Sequence, residues 1–346
     1  MSAPAIRVAV VGVGEFGRNH VRVWRETAGA ELVGVVDTNR ERAAKVAAEF
    51  ETRVLPDAKA LAGERVDAVS LAVPTSQHAR VGCGLLAAGH DVLVEKPMAA
   101  SLAEADELIA AARRAGRILQ IGHVERFNPA VAAALEIVRR PLFFEVHRLG
   151  VFSPRSLDID VVYDVMIHDL DILLRFVNAD VADLKAVGIP VITDKVDIAH
   201  ARIEFANGTV ANVTASRVST ERVRKMRFFQ AHEYISMDFA RQDVLRVRVE
   251  PGKGKSASES AMMSAQPEIG FEKLPATPEE PLKAELRAFL ESVRTRRAPA
   301  VDGAAGRRAL ALADRVMEGI LEHARRVKVV TTAPETRQTF TPQETR

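Results

Sequence analysis

The 346-residue sequence has one cysteine, no long apolar run and almost no excess of charge. A lone cysteine, Cys83, excludes an intramolecular disulfide and any zinc site built from several cysteines, and we interpret it as a small buried residue of a helix. No apolar run reaches the about 18 residues that a membrane-spanning helix needs. A net charge of +2 provides no broad basic surface. We therefore expect neither a membrane nor a nucleic acid as a partner.

The N-terminal residues and the chain length bear on cellular location and on domain number. The chain enters an apolar stretch at residue 6 without the basic and then apolar segment that directs secretion, so we expect a soluble, cytoplasmic protein. A length of 346 residues is sufficient for two domains, and a composition that is 47% hydrophobic can supply a core to each of them.

Short apolar strands alternate with helices in the first third of the chain. This alternation predicts right-handed βαβ units and a parallel sheet that helices cover on both faces. We assign residues 1–122 to such a doubly wound α/β domain. Its predicted strands are 6–11, 32–36, 68–72, 92–94 and 118–121, and its predicted helices include 41–50, 76–88 and 102–115.

A different pattern follows residue 122, where long alternating segments become dominant. The dipeptide Asn207-Gly208 separates two of them and is a strong signal for a β-hairpin. We expect residues 123–330 to form an α+β domain with a large, mainly antiparallel, open-faced sheet that has helices packed on it. Residues 252–280 are a long excursion with little periodicity, and 331–346 are a polar tail. The predicted strands are 199–205, 210–216, 224–229 and 244–249, and the predicted helices are 129–139, 161–177, 282–296 and 306–324.

Gly12, Gly14 and Gly17 have the spacing G-x-G-x-x-G between a predicted strand and a predicted helix. Glycines at these positions let the backbone turn tightly and approach a pyrophosphate, while the free N–H groups at the helix N-terminus favour an anion. An ordinary turn is the alternative, but the complete order of strand, loop, helix and strand favours a dinucleotide site. The motif therefore predicts a Rossmann domain, with Glu15 and Phe16 as further cofactor-binding candidates.

Asp37 ends the second predicted strand, where an acidic side chain would accept hydrogen bonds from the adenosine ribose. Its carboxylate would repel the 2′-phosphate of NADP, which favours NAD as the cofactor. Arg40 and Arg42 follow closely and could offset that repulsion. We include Asp37 and Arg40 among the cofactor-binding candidates and regard NADP as the less favoured cofactor.

Two further strand ends carry candidate residues, because ligands bind at the carboxyl edge of an open parallel sheet. Pro97 keeps Lys96 extended, so this lysine cannot begin the next helix. A surface pair of Glu95 and Lys96 is the alternative interpretation and would contribute little to stability. The cofactor-binding candidates at these ends are Val73, Pro74, Thr75, His78, Glu95 and Lys96.

A polar stripe on the predicted helix 161–177 is the second candidate motif. Asp164, His168, Asp171 and Arg175 lie at positions i, i+4, i+7 and i+11, on one side of the helix. A solvated face is the simplest explanation of such a stripe. The helix is so apolar elsewhere, however, that we expect it to be largely buried and its stripe to face a cleft.

These motifs resemble those of the glucose–fructose oxidoreductase and inositol dehydrogenase (Gfo/Idh/MocA) family over nearly the whole chain. The resemblance is carried by the glycine loop, by Ala-Val-Pro-Thr at 72–75, by Glu-Lys-Pro at 95–97 and by a second motif, D-x-G-x-H-x-x-D. Asp164, His168 and Asp171 match that second motif, and Met166 stands where the family usually has glycine. The resemblance implies that Lys96 reaches both the nicotinamide ribose and the substrate hydroxyl.

The resemblance and the side-chain chemistry together suggest catalytic roles. Oxidation of a secondary alcohol needs a proton acceptor and a group that stabilises the developing oxyanion. We assign His168 as the base, Lys96 as the electrostatic partner and Asp164 as the residue that orients one of them. The first two roles could exchange, because Lys96 could relay the proton itself. We predict no metal site.

Three more particular segments, 121–131, 152–172 and 215–229, resemble the branch of the family that oxidises the 3-hydroxyl of UDP-N-acetylglucosamine. That branch implies a UDP-sugar substrate and a role in lipid A precursor metabolism. Arginines suit its two phosphates, although an ordinary charged sheet face would explain them equally well. The substrate-binding candidates are Lys96, Arg126, Arg155, Asp164 and His168, and further cations lie at Arg217, Arg222, Arg224 and Lys225.

Two alternatives remain open at the level of sequence. One is a dehydrogenase of a free cyclitol or monosaccharide, which would not need the arginines. The other is a dinucleotide-binding regulatory module without catalysis, against which the presence of both Lys96 and His168 argues. We also expect a homo-dimer or homo-tetramer, because an open-faced sheet leaves a second face to be covered.

Overall fold

The computed structural model describes residues 4–153, 159–250 and 268–327. Five parallel strands form the first sheet, in the order β2-β1-β3-β4-β5. The adjacent strands β3 and β4 are buried along their whole length, as expected for a parallel sheet covered on both faces. The strands are β1 (Ile6–Val11), β2 (Ala30–Val36), β3 (Ala68–Leu71), β4 (Asp91–Glu95) and β5 (Leu119–Gly122), and the helices are α1 (Glu15–Glu26), α2 (Arg40–Glu49), α3 (His78–Ala87) and α4 (Leu102–Ala115). The doubly wound Rossmann prediction is confirmed.

Helices from the C-terminal end of the chain return to cover this first sheet. Helix α7 (Pro281–Thr295) packs beside α1, where the rings of Trp24 and Phe289 lie 6.4 Å apart between centroids. Helix α8 (Gly303–Val327) contributes Ala305 and Leu310 to the core on the other face. The sheet is therefore completed by residues far beyond 122, and the predicted boundaries at 122 and 330 stay a prediction.

Eight strands form the second sheet, in the order β13-β12-β11-β10-β6-β9-β8-β7. Strands β6 and β9 pair in parallel and the other neighbours are antiparallel, so the prediction of a mainly antiparallel sheet is confirmed. Helices α5 (Pro129–Ile137), α6 (Ile167–Val177) and α8 share one core with the inner face of this sheet. The strands are β6 (Phe143–Val151), β7 (Val181–Ile189), β8 (Ile198–Phe205), β9 (Val210–Ser219), β10 (Val223–Gln230), β11 (Glu233–Asp238), β12 (Asp243–Glu250) and β13 (Glu268–Leu274).

The structure corrects several sequence predictions and supports one turn. Gly208, in the predicted hairpin between β8 and β9, has a φ of 86°, which glycine adopts without strain. The predicted helix 161–177 begins instead with a π-helix, Val162–Met166, that continues as α6. Part of the predicted excursion 252–280 is the edge strand β13. Cys83 lies in α3 but is only half-buried.

Some predictions fall outside the part of the chain that the structure describes. Arg155, most of the 252–280 excursion and the polar tail 331–346 are among them. Within the described residues, no helix is long and apolar enough to cross a membrane.

Candidate active site

The loop between β1 and α1 is shaped by contacts that only glycine allows. A Cβ atom on Gly12, whose φ is +86°, would lie 2.6 Å from the carbonyl oxygen of Ala72. A Cβ atom on Gly17 would collide with the carbonyl oxygen of Gly12. Gly14 differs, because a Cβ atom there would meet no atom of the described residues within 4 Å. Two glycines therefore set the close packing of the loop, and the third leaves open space above it.

The open space at Gly14 lies at the N-terminus of α1, which no side chain caps. The N–H groups of the first turn, beginning at Glu15 and Phe16, are the unpaired donors that every helix N-terminus presents. Such donors and the positive end of the helix dipole suit a pyrophosphate. The residues present thus fit a dinucleotide. The loop of Gly12, Gly14 and Gly17, here called the glycine cradle, leaves the room, and the N–H groups of the first turn of α1 supply the hydrogen bonds.

Asp37 lies at the end of β2, and its carboxylate is fully engaged in the structure. It accepts hydrogen bonds from Nε and Nη2 of Arg42, at 3.0 and 2.7 Å, and from the backbone N–H groups of Val13 and Asn39, both at 2.8 Å. Burial acts to raise the pKa of Asp37, but these hydrogen bonds outweigh it and hold the pKa below its usual value. Asp37 is therefore a carboxylate, and its arginine partner is Arg42, whereas Arg40 is exposed.

The turns that follow β3 and β4 are joined by a buried histidine. The ring nitrogens of His78 lie 2.9 Å from the carbonyl oxygens of Pro97 and Val73. His78 is only 1% exposed, and burial lowers its pKa. The sequence predicted that His78 binds the cofactor, and the structure gives it contacts that hold two candidate cofactor-binding turns together. Pro74 and Thr75 lie at the carboxyl edge of the sheet, where Thr75 begins a short 3₁₀ turn.

Glu95, predicted to bind the cofactor, is buried beneath Lys96 and does not form the surface pair that was the alternative interpretation. Its carboxylate lies 2.8 Å from Nε2 of His20 and accepts a 3.3 Å hydrogen bond from the backbone N–H of Lys96. Gly122 makes this possible, since a Cβ atom there would lie 2.7 Å from the Glu95 carboxylate. Glu95 therefore anchors the strand end from below.

Lys96 and Asp164 bring the two sequence motifs into contact. The Lys96 ammonium donates to the backbone carbonyl oxygen of Asp164 at 2.6 Å and to its carboxylate at 3.2 Å. The side chain of Lys96 is 11% exposed and that of Asp164 is 29% exposed. The pair is therefore largely shielded from water, with Asp164 the more accessible partner.

His168 follows Asp164 by about one helical turn and belongs to the same group. Within the described residues, its buried Nδ1 atom has no hydrogen-bond partner. Burial holds the pKa of His168 well below its usual value, and the positive charges of Lys96 and Arg148 lower it further. The imidazole is therefore neutral at pH 7, the form that accepts a proton, and the same surroundings weaken it as a base until a negative charge develops beside it.

A buried ion cluster beneath His168 was not predicted from the sequence. Arg148 on β6 donates to Asp169 at 2.7 and 2.8 Å and to Glu125 at 2.7 Å, and its guanidinium lies 4.8 Å from the ring centroid of Phe239. This cluster ties α6 to the sheet and so positions His168. In the sequence, the only indication of this cluster was Arg148, a charged residue at an inward-facing position of a strand whose other inward-facing residues are apolar.

The four residues of the polar stripe do not all face the same group. Asp171 receives two hydrogen bonds from Arg126, from Nε at 2.5 Å and from Nη2 at 2.7 Å, and is 1% exposed. Arg126, predicted to bind substrate, thus has two of its donors on Asp171. Arg175, at the end of the stripe, is exposed to solvent. Only Asp164 and His168 of the stripe therefore join Lys96.

A glycine cradle for a dinucleotide, with a cation and a neutral imidazole beside it, is the arrangement of a nicotinamide-dependent oxidoreductase. Residues 6–123 match the model of an oxidoreductase family with an NAD-binding Rossmann fold, and residues 150–232 match the GFO/IDH/MocA C-terminal domain. The chain belongs to this Gfo/Idh/MocA oxidoreductase family. The family and the cofactor NAD, both predicted from the sequence, are confirmed.

Relatives of known activity cover most of the chain. It is 41% identical over 309 residues to a UDP-N-acetylglucosamine 3-dehydrogenase of Acidithiobacillus ferrooxidans, an alignment covering 89% of this chain and 95% of the relative. A solved structure of that enzyme superposes with a TM-score of 0.83 at 38% identity, covering 92% and 98% of the two chains. The scyllo-inositol 2-dehydrogenase (NAD(+)) of Bacillus subtilis is 29% identical over 232 residues, covering 62% of this chain and 68% of the relative.

A more distant structure shows the fold alone. Levoglucosan dehydrogenase, in complex with NADH, superposes with a TM-score of 0.79 at 20% identity, covering 92% of this chain and 97% of that one. As to metals, no cluster of three or more His, Cys, Asp or Glu side chains in the described ranges could hold an ion.

Proposed function

We propose that the protein oxidises the 3-hydroxyl of UDP-N-acetylglucosamine to a ketone with NAD as the cofactor. The contact between Lys96 and Asp164, with the neutral His168 one turn further on, carries the chemical part of the proposal. The specificity for the sugar is supported by the 41% identity to a UDP-N-acetylglucosamine 3-dehydrogenase over 89% of the chain.

Each group of the cleft has a separate task in this reaction. His168 accepts the hydroxyl proton, since burial and neighbouring cations keep its imidazole neutral. Lys96 donates a hydrogen bond to the same oxygen and stabilises the negative charge that develops there. Asp164 holds the Lys96 ammonium through its carbonyl and carboxylate oxygens.

The cofactor would be held by the residues of the first sheet. Gly12, Gly14 and Gly17 would provide the cradle, and Asp37, at the end of β2, would lie at the ribose. When bound, NAD supplies the acceptor for the hydride that leaves the carbon atom. Val73, Pro74 and Thr75 would line the edge between the cradle and Lys96, while the buried His78 and Glu95 support these turns.

A screen of substrates tests the function directly. The purified protein is mixed with NAD and with UDP-N-acetylglucosamine, UDP-glucose, free N-acetylglucosamine or myo-inositol, while absorbance at the NADH band is followed. We expect UDP-N-acetylglucosamine to give the highest kcat/KM, with a product lighter by two hydrogens. Faster turnover of myo-inositol would instead identify a cyclitol dehydrogenase, and binding of NAD without turnover of any sugar would indicate a regulatory module.

We further propose that two copies associate through the outer face of the eight-stranded sheet. Strand register aligns one apolar row across five strands of that face. Phe271 at its end is 73% exposed. A second copy of the chain would cover this row. The row consists of Phe143, Phe229, Tyr234, Val247 and Phe271.

Light scattering at micromolar concentration checks the assembly. We expect a dimer or a tetramer for the wild type and a shift towards the monomer for Phe271→Asp. Leu321→Asp, at an exposed apolar residue of α8 that is 50% accessible, serves as the control and should leave the assembly unchanged. A monomeric wild type would contradict the proposal. The predicted cytoplasmic location and the role in lipid A precursor metabolism stay predictions.

A further inference from the structure

The inner face of the second sheet changes character at the end that approaches the first sheet. Along β10 and β6, Phe228 and Phe144 face the core, followed by Met226 and Val146, all fully buried or nearly so. The next pair in register on the same face is Arg224 and Arg148. Beyond them lie Arg222, just before β10, and Gly150 near the end of β6. The apolar core thus gives way to a basic strip that ends beside a residue without a side chain.

The two paired arginines have very different surroundings. Arg148 is buried and neutralised by Glu125 and Asp169. Arg224 is exposed, and within the described residues neither it nor Arg222 has an ion-pair partner. Part of the Arg224 side chain is accessible, but its guanidinium is partly desolvated. This desolvation and then repulsion by Arg148 lower the pKa of Arg224, while Glu125 and Asp169 act in the opposite direction. An anion bound to Arg224 would offset that repulsion.

Arg224 lies near enough to His168 for its charge to act on the imidazole. Its positive charge is one of those that lower the pKa of His168. Arg222 and Arg224 line a cavity of about 490 Å³ between α1 and the end of the sheet, a volume in the range of small-molecule sites. The carboxylates on the same wall are already paired, Glu125 with Arg148 and Glu280 with Arg22. The unpaired charge of the cavity is therefore positive.

Gly150 leaves room beside these arginines. Among the described residues, a Cβ atom on Gly150 would meet only the carbonyl oxygen of Ser216, at 3.6 Å. Gly150 therefore leaves room for a ligand at the strand end that carries Arg148. Guanidinium groups match phosphate oxygens through two parallel hydrogen bonds, which an ammonium cannot form.

We propose that Arg224, assisted by Arg222, binds the diphosphate of a nucleotide sugar in this cavity. The inference rests on the proposed function and assigns the part of the cleft that distinguishes a nucleoside-diphosphate sugar from a free one. It gives the substrate-recognition role to Arg224 in place of Arg126, whose guanidinium is engaged by Asp171.

Calorimetric titration with UDP alone tests the inference, because it needs neither NAD nor turnover. We expect Arg224→Ala to weaken UDP binding at least about tenfold, as the loss of a charge-assisted bidentate contact would. Arg222→Ala should have a smaller effect, and Arg224→Lys should restore part of the affinity. The matched control is Arg227→Ala, on the same strand but on the outer face, where Arg227 pairs with Glu145. It should bind UDP as the wild type does.

Kinetics with UDP-N-acetylglucosamine give a second measurement. Arg224→Ala should raise the KM for the sugar nucleotide at least about tenfold while leaving the KM for NAD unchanged. If UDP binds the wild type through Arg224 but the sugar nucleotide is not oxidised, the proposed function fails and the diphosphate site stands. If UDP does not bind the wild type, or binds Arg224→Ala equally well, the site is overturned whatever the enzyme oxidises.

Discussion

The ammonium nitrogen of Lys96 lies 2.6 Å from the backbone carbonyl oxygen of Asp164 and 3.2 Å from its carboxylate. Lys96 follows the fourth strand of the parallel sheet, and Asp164 lies in the π-helix that precedes α6. The contact therefore joins residues 68 positions apart in the sequence. It places a cation, a carboxylate and the neutral His168 at the edge where the glycine cradle opens.

Removal of either catalytic candidate should reduce turnover strongly. We expect Lys96→Ala and His168→Ala each to lower kcat with UDP-N-acetylglucosamine by about 100-fold or more, the scale of a lost electrostatic or acid–base group. NAD affinity should change little in His168→Ala and fall modestly in Lys96→Ala, which lies beside the cofactor edge. Steady-state kinetics and NADH fluorescence titration measure the two effects.

A second histidine provides the control for that experiment. His200 is exposed on β8 and hydrogen-bonds Thr214 at 2.9 Å, away from the Lys96 pair. His200→Ala should keep wild-type turnover. Full activity in both Lys96→Ala and His168→Ala would remove these residues from the mechanism.

The site could be predicted from the sequence where short-range patterns specify it. The glycine spacing and the proline after Lys96 act on the adjacent backbone, and strand ends of a parallel sheet meet at one edge whatever the rest of the fold. From these rules, Gly12 and Lys96 could be predicted to lie at the same edge of the sheet. The proximity of Asp164 and His168 was predicted from helical spacing. Residues four positions apart stay on one side of a helix even where an α-helical turn is replaced by a π-helical turn.

The remaining contacts depend on pairings between distant residues, which leave no local pattern. Arg126 was predicted to bind substrate, and nothing near it indicated that Asp171, 45 residues away, would engage it. The π-helix Val162–Met166 has the same composition as an ordinary helical turn. Strand β6 was missed because Arg148 occupies an inner position where an apolar residue would have completed the alternation.

Gly14 should be the position at which a side chain blocks the cofactor without harming the fold. Its φ is −61° and a Cβ atom would have no neighbour within 4 Å, so Gly14→Val fits the protein but fills the space of the pyrophosphate. We expect wild-type thermal stability and no saturable NADH binding by fluorescence transfer. Gly17→Val, which collides with the Gly12 carbonyl, should instead lower stability. Unchanged NADH affinity in a folded Gly14→Val would rule out this loop as the cofactor site.

Asp37 should determine the choice between NAD and NADP. Its carboxylate repels a 2′-phosphate, and it also holds the Arg42 guanidinium. Asp37→Ser would remove the negative charge and release Arg42 towards that phosphate. We expect the ratio of kcat/KM for NAD over NADP to favour NAD in the wild type and to fall at least about tenfold in the variant. A wild-type preference for NADP would show that the arginines dominate.

Glu285 should make the fold less stable in alkali. Its carboxyl group is fully buried, and neither oxygen has a hydrogen-bond partner within the described residues. Burial, and then the charge of Glu95, holds the pKa of Glu285 well above its usual value. The folded protein therefore keeps this proton to a higher pH than the unfolded chain does. The resulting stability is complete below the unfolded pKa of about 4.3 and is lost as the pH rises through the folded pKa.

Glu285→Gln, which cannot ionise, tests this dependence by thermal unfolding between pH 5 and pH 9. We expect its Tm to exceed that of the wild type at pH 9 by at least about 2 °C, with the difference shrinking towards pH 5. Glu291→Gln on the same helix, at a side chain that is 60% exposed, is the control and should follow the wild-type curve. Parallel curves for Glu285→Gln and the wild type would mean that Glu285 is already charged in the fold.

The most direct test of the central claim is the fate of deuterium placed at C3 of the sugar in UDP-N-acetylglucosamine. If the carbon that faces Lys96 and His168 is C3, the label leaves the sugar with the hydride. Mass spectrometry should then find the deuterium in the NADH formed and a 3-keto sugar nucleotide without it. Unlabelled NADH together with a product that retains its deuterium would contradict the account.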